Sequence, residues 1–151
     1  MIKKPIILAM EAPFIGDPTS NLLPLKVGGN FHSLWWMMAK IRKHTTQEAF
    51  INAFQFISLM DVQDWKYKTV SRKIAEVKDS MKNGDVIMLG QEVLRAMELP
   101  SVEPLLWQQS DNHRWCFIPS VTRQKHWFLD DINRIGVGLR LEELVEAALV
   151  E

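Results

Sequence analysis

Arg114-Trp-Cys-Phe-Ile-Pro-Ser120 is the stretch on which the fold turns. An apolar run ends abruptly at Pro-Ser, and a polar, basic and aromatic segment follows. Pro5-Ile-Ile-Leu-Ala-Met10 ends in a similar way, running into Glu11-Ala-Pro13. Short apolar runs bounded by turn residues read as buried strands. In an open parallel sheet, ligands bind at the carboxyl ends of the strands. The two endings therefore put Glu11 on one side, and Ser120, Arg123, Lys125, His126 and Trp127 on the other, where chemistry would sit.

Working outward, residues 11–30 read as a long loop rich in Pro, Gly, Asn and Asp, a length that is often functional in compact domains. Gly28-Gly29-Asn30 then opens a helix to about residue 42, with Leu34, Met37, Met38 and Ile41 as its apolar stripe. Thr45 or Thr46 caps a short helix ending near Asn52. Residues 53–59 read as a second strand and residues 69–81 as an amphipathic helix stopped by Asn83-Gly84. Asp85-Val-Ile-Met-Leu89 is the clearest strand. Gly90 turns it into a helix over residues 91–98, closed by Pro100. Residues 101–112 read as a loop, and residues 129–135 and 141–150 as two final helices. Alternating strands and helices imply right-handed crossovers. The expected fold is a three-layer α/β/α sandwich with a mainly parallel sheet of about four strands, as a single domain over residues 1–151.

Composition narrows the function classes. Lys+Arg and Asp+Glu both number 18, so the formal net charge is zero and no strong general attraction to nucleic acid follows. The charge is uneven: Lys40, Arg42, Lys43 and His44 form one basic cluster, Lys66, Lys68, Arg72 and Lys73 a second, and Arg123, Lys125 and His126 a third. Glu142, Glu143, Glu146 and Glu151 make the C-terminal segment acidic. Solvated helix faces are the ordinary reading of each cluster. No apolar run approaches the roughly 20 residues that span a bilayer. The apolar run after Lys3-Lys4 is too short for a secretory signal. Cys116 is the only cysteine, which excludes an internal disulfide and a cysteine-based zinc site. The four histidines lack metal-ligand spacing, so neither metal nor cofactor is expected, and a cytoplasmic setting is. Six tryptophans belong mostly to the core or its edge, including at least one of Trp35 and Trp36.

The order of elements and their motifs resemble the uracil-DNA glycosylase superfamily, and most of all its short phage and bacterial members. Met10-Glu11-Ala12-Pro13-Phe14 is similar to that family's Gly-Glu-Ala-Pro-Gly. Asp85-Val-Ile-Met-Leu-Gly-Gln-Glu-Val93 looks like its strand-Leu-Gly-helix segment. Ile118-Pro119-Ser120, then Trp127-Phe128, Asp130 and Asn133-Arg134, resemble its His-Pro-Ser motif and the basic aromatic loop beyond it. The resemblance implies that Glu11 places water and stabilises positive charge on the sugar. It implies that Phe14, Ser58 and Ile118 occupy base-binding positions, and that Ser120, Arg123, Lys125 and Trp127 contact nucleic acid. Three of these positions depart from the pattern. Phe14 replaces a glycine, Ser58 falls where an asparagine reads the base edge, and Ile118 replaces the histidine that stabilises the departing base. His126, six residues beyond Ser120, is the candidate to replace that histidine.

Each of these residues also has an ordinary structural reading. Glu11 can cap its loop or pair with a lysine, His126 can be a surface histidine, Trp127 can anchor its loop to the core, and Ser120 can cap a turn. Phe14, Trp35 and Trp36 can line a base pocket or belong to the core, and His32 lies near a helix start, where an anion contact is favourable. Three functions remain in play. The first is a glycosylase-fold protein that binds or processes a base in DNA, single-stranded or flipped, or in a nucleotide, with little standard uracil excision. The second is an inactive binding or inhibitory module on the same fold, which leaves a protein partner open. The third is an enzyme of nucleotide metabolism or base modification.

Overall fold

A computed structural model describes residues 4–9, 30–59, 74–82, 84–110, 113–121 and 123–150. Among them the elements run β1 (Ile6–Ala9), α1 (Asn30–Ile41), α2 (Gln47–Ala53), β2 (Gln55–Ser58), α3 (Ile74–Met81), β3 (Asp85–Leu89), α4 (Gln91–Ala96), β4 (Trp107–Gln109), β5 (Arg114–Ile118), a 3-10 turn (Trp127–Leu129) and α5 (Asp131–Val150). The sheet has five strands in the order β2-β1-β3-β5-β4. All neighbours are parallel except β4 and β5, which are antiparallel.

The sheet is covered on both faces, because successive residues of a strand point to opposite sides. Ile7 and Ala9 of β1, Ile87 and Leu89 of β3, and Cys116 and Ile118 of β5 face a layer made by α1, α2 and α5. Ile6 and Leu8, Val86 and Met88, and Trp115 and Phe117 face α3 and α4. This is the expected three-layer α/β/α sandwich. Its inner strands are apolar at nearly every position, as burial on both faces requires.

Two of the expected elements differ in the structure. Residues 101–112 are not all loop: Trp107–Gln109 form β4, which pairs with the edge of β5. Three residues are too few to show the alternation that marks a strand in sequence, and the edge offered by β5 is what makes the segment extended. The C-terminal region is one helix from Asp131 to Val150, not two. Gly136 and Gly138, which look like a break, sit inside it. A Cβ on Gly138 would lie 2.6 Å from the Met37 carbonyl oxygen and 2.8 Å from Ile41 Cγ1. The glycine lets α5 lie directly on α1, and this packing outweighs the roughly 1 kcal/mol that glycine costs a helix.

Polar contacts secure the frame. Thr46 caps α2, its Oγ1 accepting from the Ala49 amide at 3.0 Å. Arg114 Nε and Nη2 donate to the Asp85 carboxylate at 3.0 and 2.9 Å, and the guanidinium lies 4.0 Å over the Trp107 ring. Three adjacent strands are thereby joined at the amino edge of the sheet. Arg42, from the first basic cluster, donates to Glu146 at 2.6 Å and Glu142 at 3.3 Å, so α1 and α5 are also held by charge. The second basic cluster lies outside the described residues. Trp35 is half-buried, its Nε1 donating to the Thr45 carbonyl at 2.9 Å, while Trp36 is 45% exposed. Neither is fully buried, a correction that follows from their place on the flank of the α1 stripe. No described helix is long and apolar enough to cross a membrane.

Candidate functional site at the carboxyl edge

The parallel registers align four strand ends. Ala9 is opposite Ser58 on one side and Leu89 on the other, and Leu89 is opposite Ile118. The order β2-β1-β3 reverses direction at β1, so a topological switch point lies between β1 and β3, where open sheets form their ligand crevice.

Gly90 and Ser120 leave β3 and β5 at this edge. Gly90 has φ +102°, a conformation that favours glycine, and its amide donates to the Ile118 carbonyl at 2.8 Å. A Cβ there would meet Ser120 Cβ at 3.5 Å, so the two strand exits run side by side. Asn30 fixes the second exit. It is the one buried polar residue among those described, and its Oδ1 accepts from the Val121 amide at 2.7 Å and from Ser120 Oγ at 3.4 Å. The Ser120 carbonyl then accepts from Gln124 at 2.8 Å, closing a tight turn. Arg123 pairs with Glu92 at the start of α4, which ties the far side of the turn.

Of the site residues expected from sequence, those described occupy four places: the end of β2, the turn after β5, the segment beyond that turn, and the core. Glu11 and Phe14 lie outside the described residues; Ser58 ends β2 at the same edge as Ala9 and Leu89. Ser120 and Arg123 belong to the turn just described. Lys125 and His126 are exposed beyond it, and Trp127 is half-buried with its ring 4.8 Å from Phe128, edge to face. Asn133 Nδ2 donates to the Trp127 carbonyl at 2.8 Å, and Arg134 Nη1 to the Phe128 carbonyl at 2.6 Å, so the 3-10 turn is stitched to α5. Ile118 is fully buried among the apolar residues facing α1 and α5.

Two features were not singled out from sequence. The role of Asn30 could have been suspected only from a polar residue opening an apolar helix just after Gly28-Gly29. A cavity of about 230 Å³, lined by His32, Ser33, Trp36, Met37, Val121, Phe128 and Arg134, opens beside the turn, between α1 and the start of α5. A larger cavity of about 520 Å³, whose lining includes Lys78, Lys82, Glu98 and His113, lies toward the amino edge. Among the described residues no three His, Cys, Asp or Glu side chains are grouped to hold a metal. Burial pushes the Cys116 thiol up to about 11, which makes it a core side chain and a poor nucleophile.

The fold places the chain among open α/β/α proteins with a mostly parallel sheet. Compared with known sequence families, curated proteins and solved structures, the chain has no match.

Proposed function

We propose that this is a glycosylase-fold protein that binds or processes a base in DNA or a nucleotide, with little or no standard uracil excision. The observation that carries the reading is the alignment of four strand ends with the Pro119-Ser120 turn beside Gly90. Glu11 follows the end of β1 by two residues. A glycosidic bond to a base breaks through an oxocarbenium-like sugar, and the protein's task is electrostatic. Glu11 would stabilise the sugar cation and place water. Ser120 and the cations Arg123 and Lys125 would meet phosphate, with Trp127 offering an aromatic edge. His126 would donate to the departing base.

Ile118 favours a second reading, a binding or inhibitory module without catalysis. It is aliphatic and fully buried, and offers nothing to a developing base anion. Losing one such donor typically costs about 100- to 1000-fold in rate. Ser58, with one hydroxyl, does not reproduce the paired donor and acceptor of an asparagine. A cytoplasmic setting belongs to both readings and is supported by the single, buried cysteine.

A cleavage assay on uracil-containing single- and double-stranded DNA, with a salt titration of oligonucleotide binding, tests both. Weak, salt-sensitive binding to single-stranded or mismatched DNA without robust cleavage is expected. Robust turnover abolished by Glu11→Gln would show that another residue supplies the missing donor, with His126 the first suspect. Absence of binding even at low salt would remove nucleic acid as a partner.

A further inference from the structure

Helix α5 is apolar on two sides. Val137, Leu141, Leu144 and Val145 face the core. Ile132, Ile135 and Leu139 stand on the opposite side, in one stripe at steps of three and four residues. Leu129 of the 3-10 turn precedes them across Asp130, whose backbone is extended. They are 71% (Leu129), 77% (Ile132), 50% (Ile135) and 41% (Leu139) exposed. Single exposed leucines are ordinary, but an aligned apolar stripe marks an interaction surface.

The cavity lined by Trp36, Phe128 and Arg134 adjoins the start of this stripe. Its volume of about 230 Å³ suits one or two aliphatic side chains. Its surroundings are cationic: Arg134 lines it, and the Lys40 ammonium lies 4.3 Å over the Trp36 ring. The ridge beside it is anionic. Leu129-Asp130-Asp131-Ile132 sets two exposed carboxylates between its two most exposed apolar residues.

We propose that this face binds a second copy of the chain, with the Leu129–Ile132 ridge of each copy seated in the Trp36 cavity of the other. One patch thus holds both an apolar cavity with a cationic rim and an apolar ridge with carboxylates. A twofold axis between them satisfies both contacts at once, as an isologous interface requires. Asp131 pairs with Arg134 within its own chain, and docking sets a second Asp130-Asp131 pair against the same rim. These exposed charges contribute little energy each but fix the orientation. The formal net charge of zero leaves no long-range repulsion between copies.

Sedimentation of the full chain from about 1 to 200 µM brackets the affinity expected of a small interface. A concentration-dependent dimer is expected. Ile132→Asp damages the ridge and Trp36→Glu the cavity; both positions are solvent-accessible, and circular dichroism checks that each variant is folded. Each variant alone should weaken dimerisation by at least about 10-fold, the scale of losing a buried apolar anchor. Mixing the two should restore dimer, because one ridge and one cavity remain intact across the mixed pair. A wild-type chain that stays monomeric throughout, including one that binds a different protein or DNA on this face, overturns the proposal. So does a dimer indifferent to both variants, or a mixture no more dimeric than its components.

Discussion

Asn30 Oδ1 accepts a 2.7 Å hydrogen bond from the Val121 amide, joining the first residue of α1 to the turn that leaves β5. The partners are 91 residues apart in sequence. One buried side chain thus positions the strand exit at which Ser120 and Arg123 sit.

Asn30→Ala should destabilise the protein by about 1–3 kcal/mol, because the partly buried Val121 amide is left without its acceptor. Asn30→Asp keeps an acceptor and should cost less. Urea denaturation of both variants checks this order. Equal losses would mean that the acceptor oxygen is not what matters.

Gly138→Ala should cost about 1–3 kcal/mol, the scale of overpacking, since the new methyl meets the Met37 carbonyl of α1. Gly136→Ala meets the tip of the Leu105 side chain, which can turn away, and gains helix propensity. It should be close to neutral. Thermal melts of the pair discriminate, and a reversed order would contradict the close helix contact.

The Cys116 thiol should resist thiol reagents near neutral pH in the folded protein and react fully once unfolded. Burial raises its pKa to about 11. The protonated thiol favours the folded state below the ordinary thiol range, and that contribution is lost as pH rises through about 11. Reaction with a chromogenic disulfide, with and without denaturant, measures the difference. Rapid labelling of the native chain would place the thiol at the surface.

Glu142 is held above the usual carboxylate range, first by burial and then by its hydrogen bond with Glu146, against the opposing pull of Arg42. One of its oxygens, Oε2, is buried without a hydrogen-bond partner. A raised carboxyl pKa favours the folded state at low pH, and this contribution is lost as pH rises through the folded value. At neutral pH the ionised group is therefore a cost. Glu142→Gln should stabilise the protein by roughly 0.5 kcal/mol at neutral pH, with the gain shrinking as pH falls below the ordinary carboxylate range. Urea midpoints across acidic and neutral pH test the sign. A loss of stability at neutral pH would show that the bond to Arg42 outweighs burial.

The sequence by itself determined the parallel core. Residues 5–10, 85–89 and 114–118 announce themselves because strands buried on both faces are apolar throughout. Thr45-Thr46 announces a helix start because a threonine hydroxyl satisfies an amide that the helix cannot, and the structure gives the cap to Thr46. It also showed that the apolar runs up to Met10 and Ile118 give way at once to turn and polar residues. Tertiary structure alone decided what lies between. β4 exists because β5 offers it an edge, and α5 runs unbroken because Gly138 accepts α1 against its backbone. Ile118 is in the core because of the phase of β5, while Asn30 acts at the site because chain topology brings α1 to the end of that strand. Local patterns record which face of an element is buried. They carry no record of which distant residue waits on the other side.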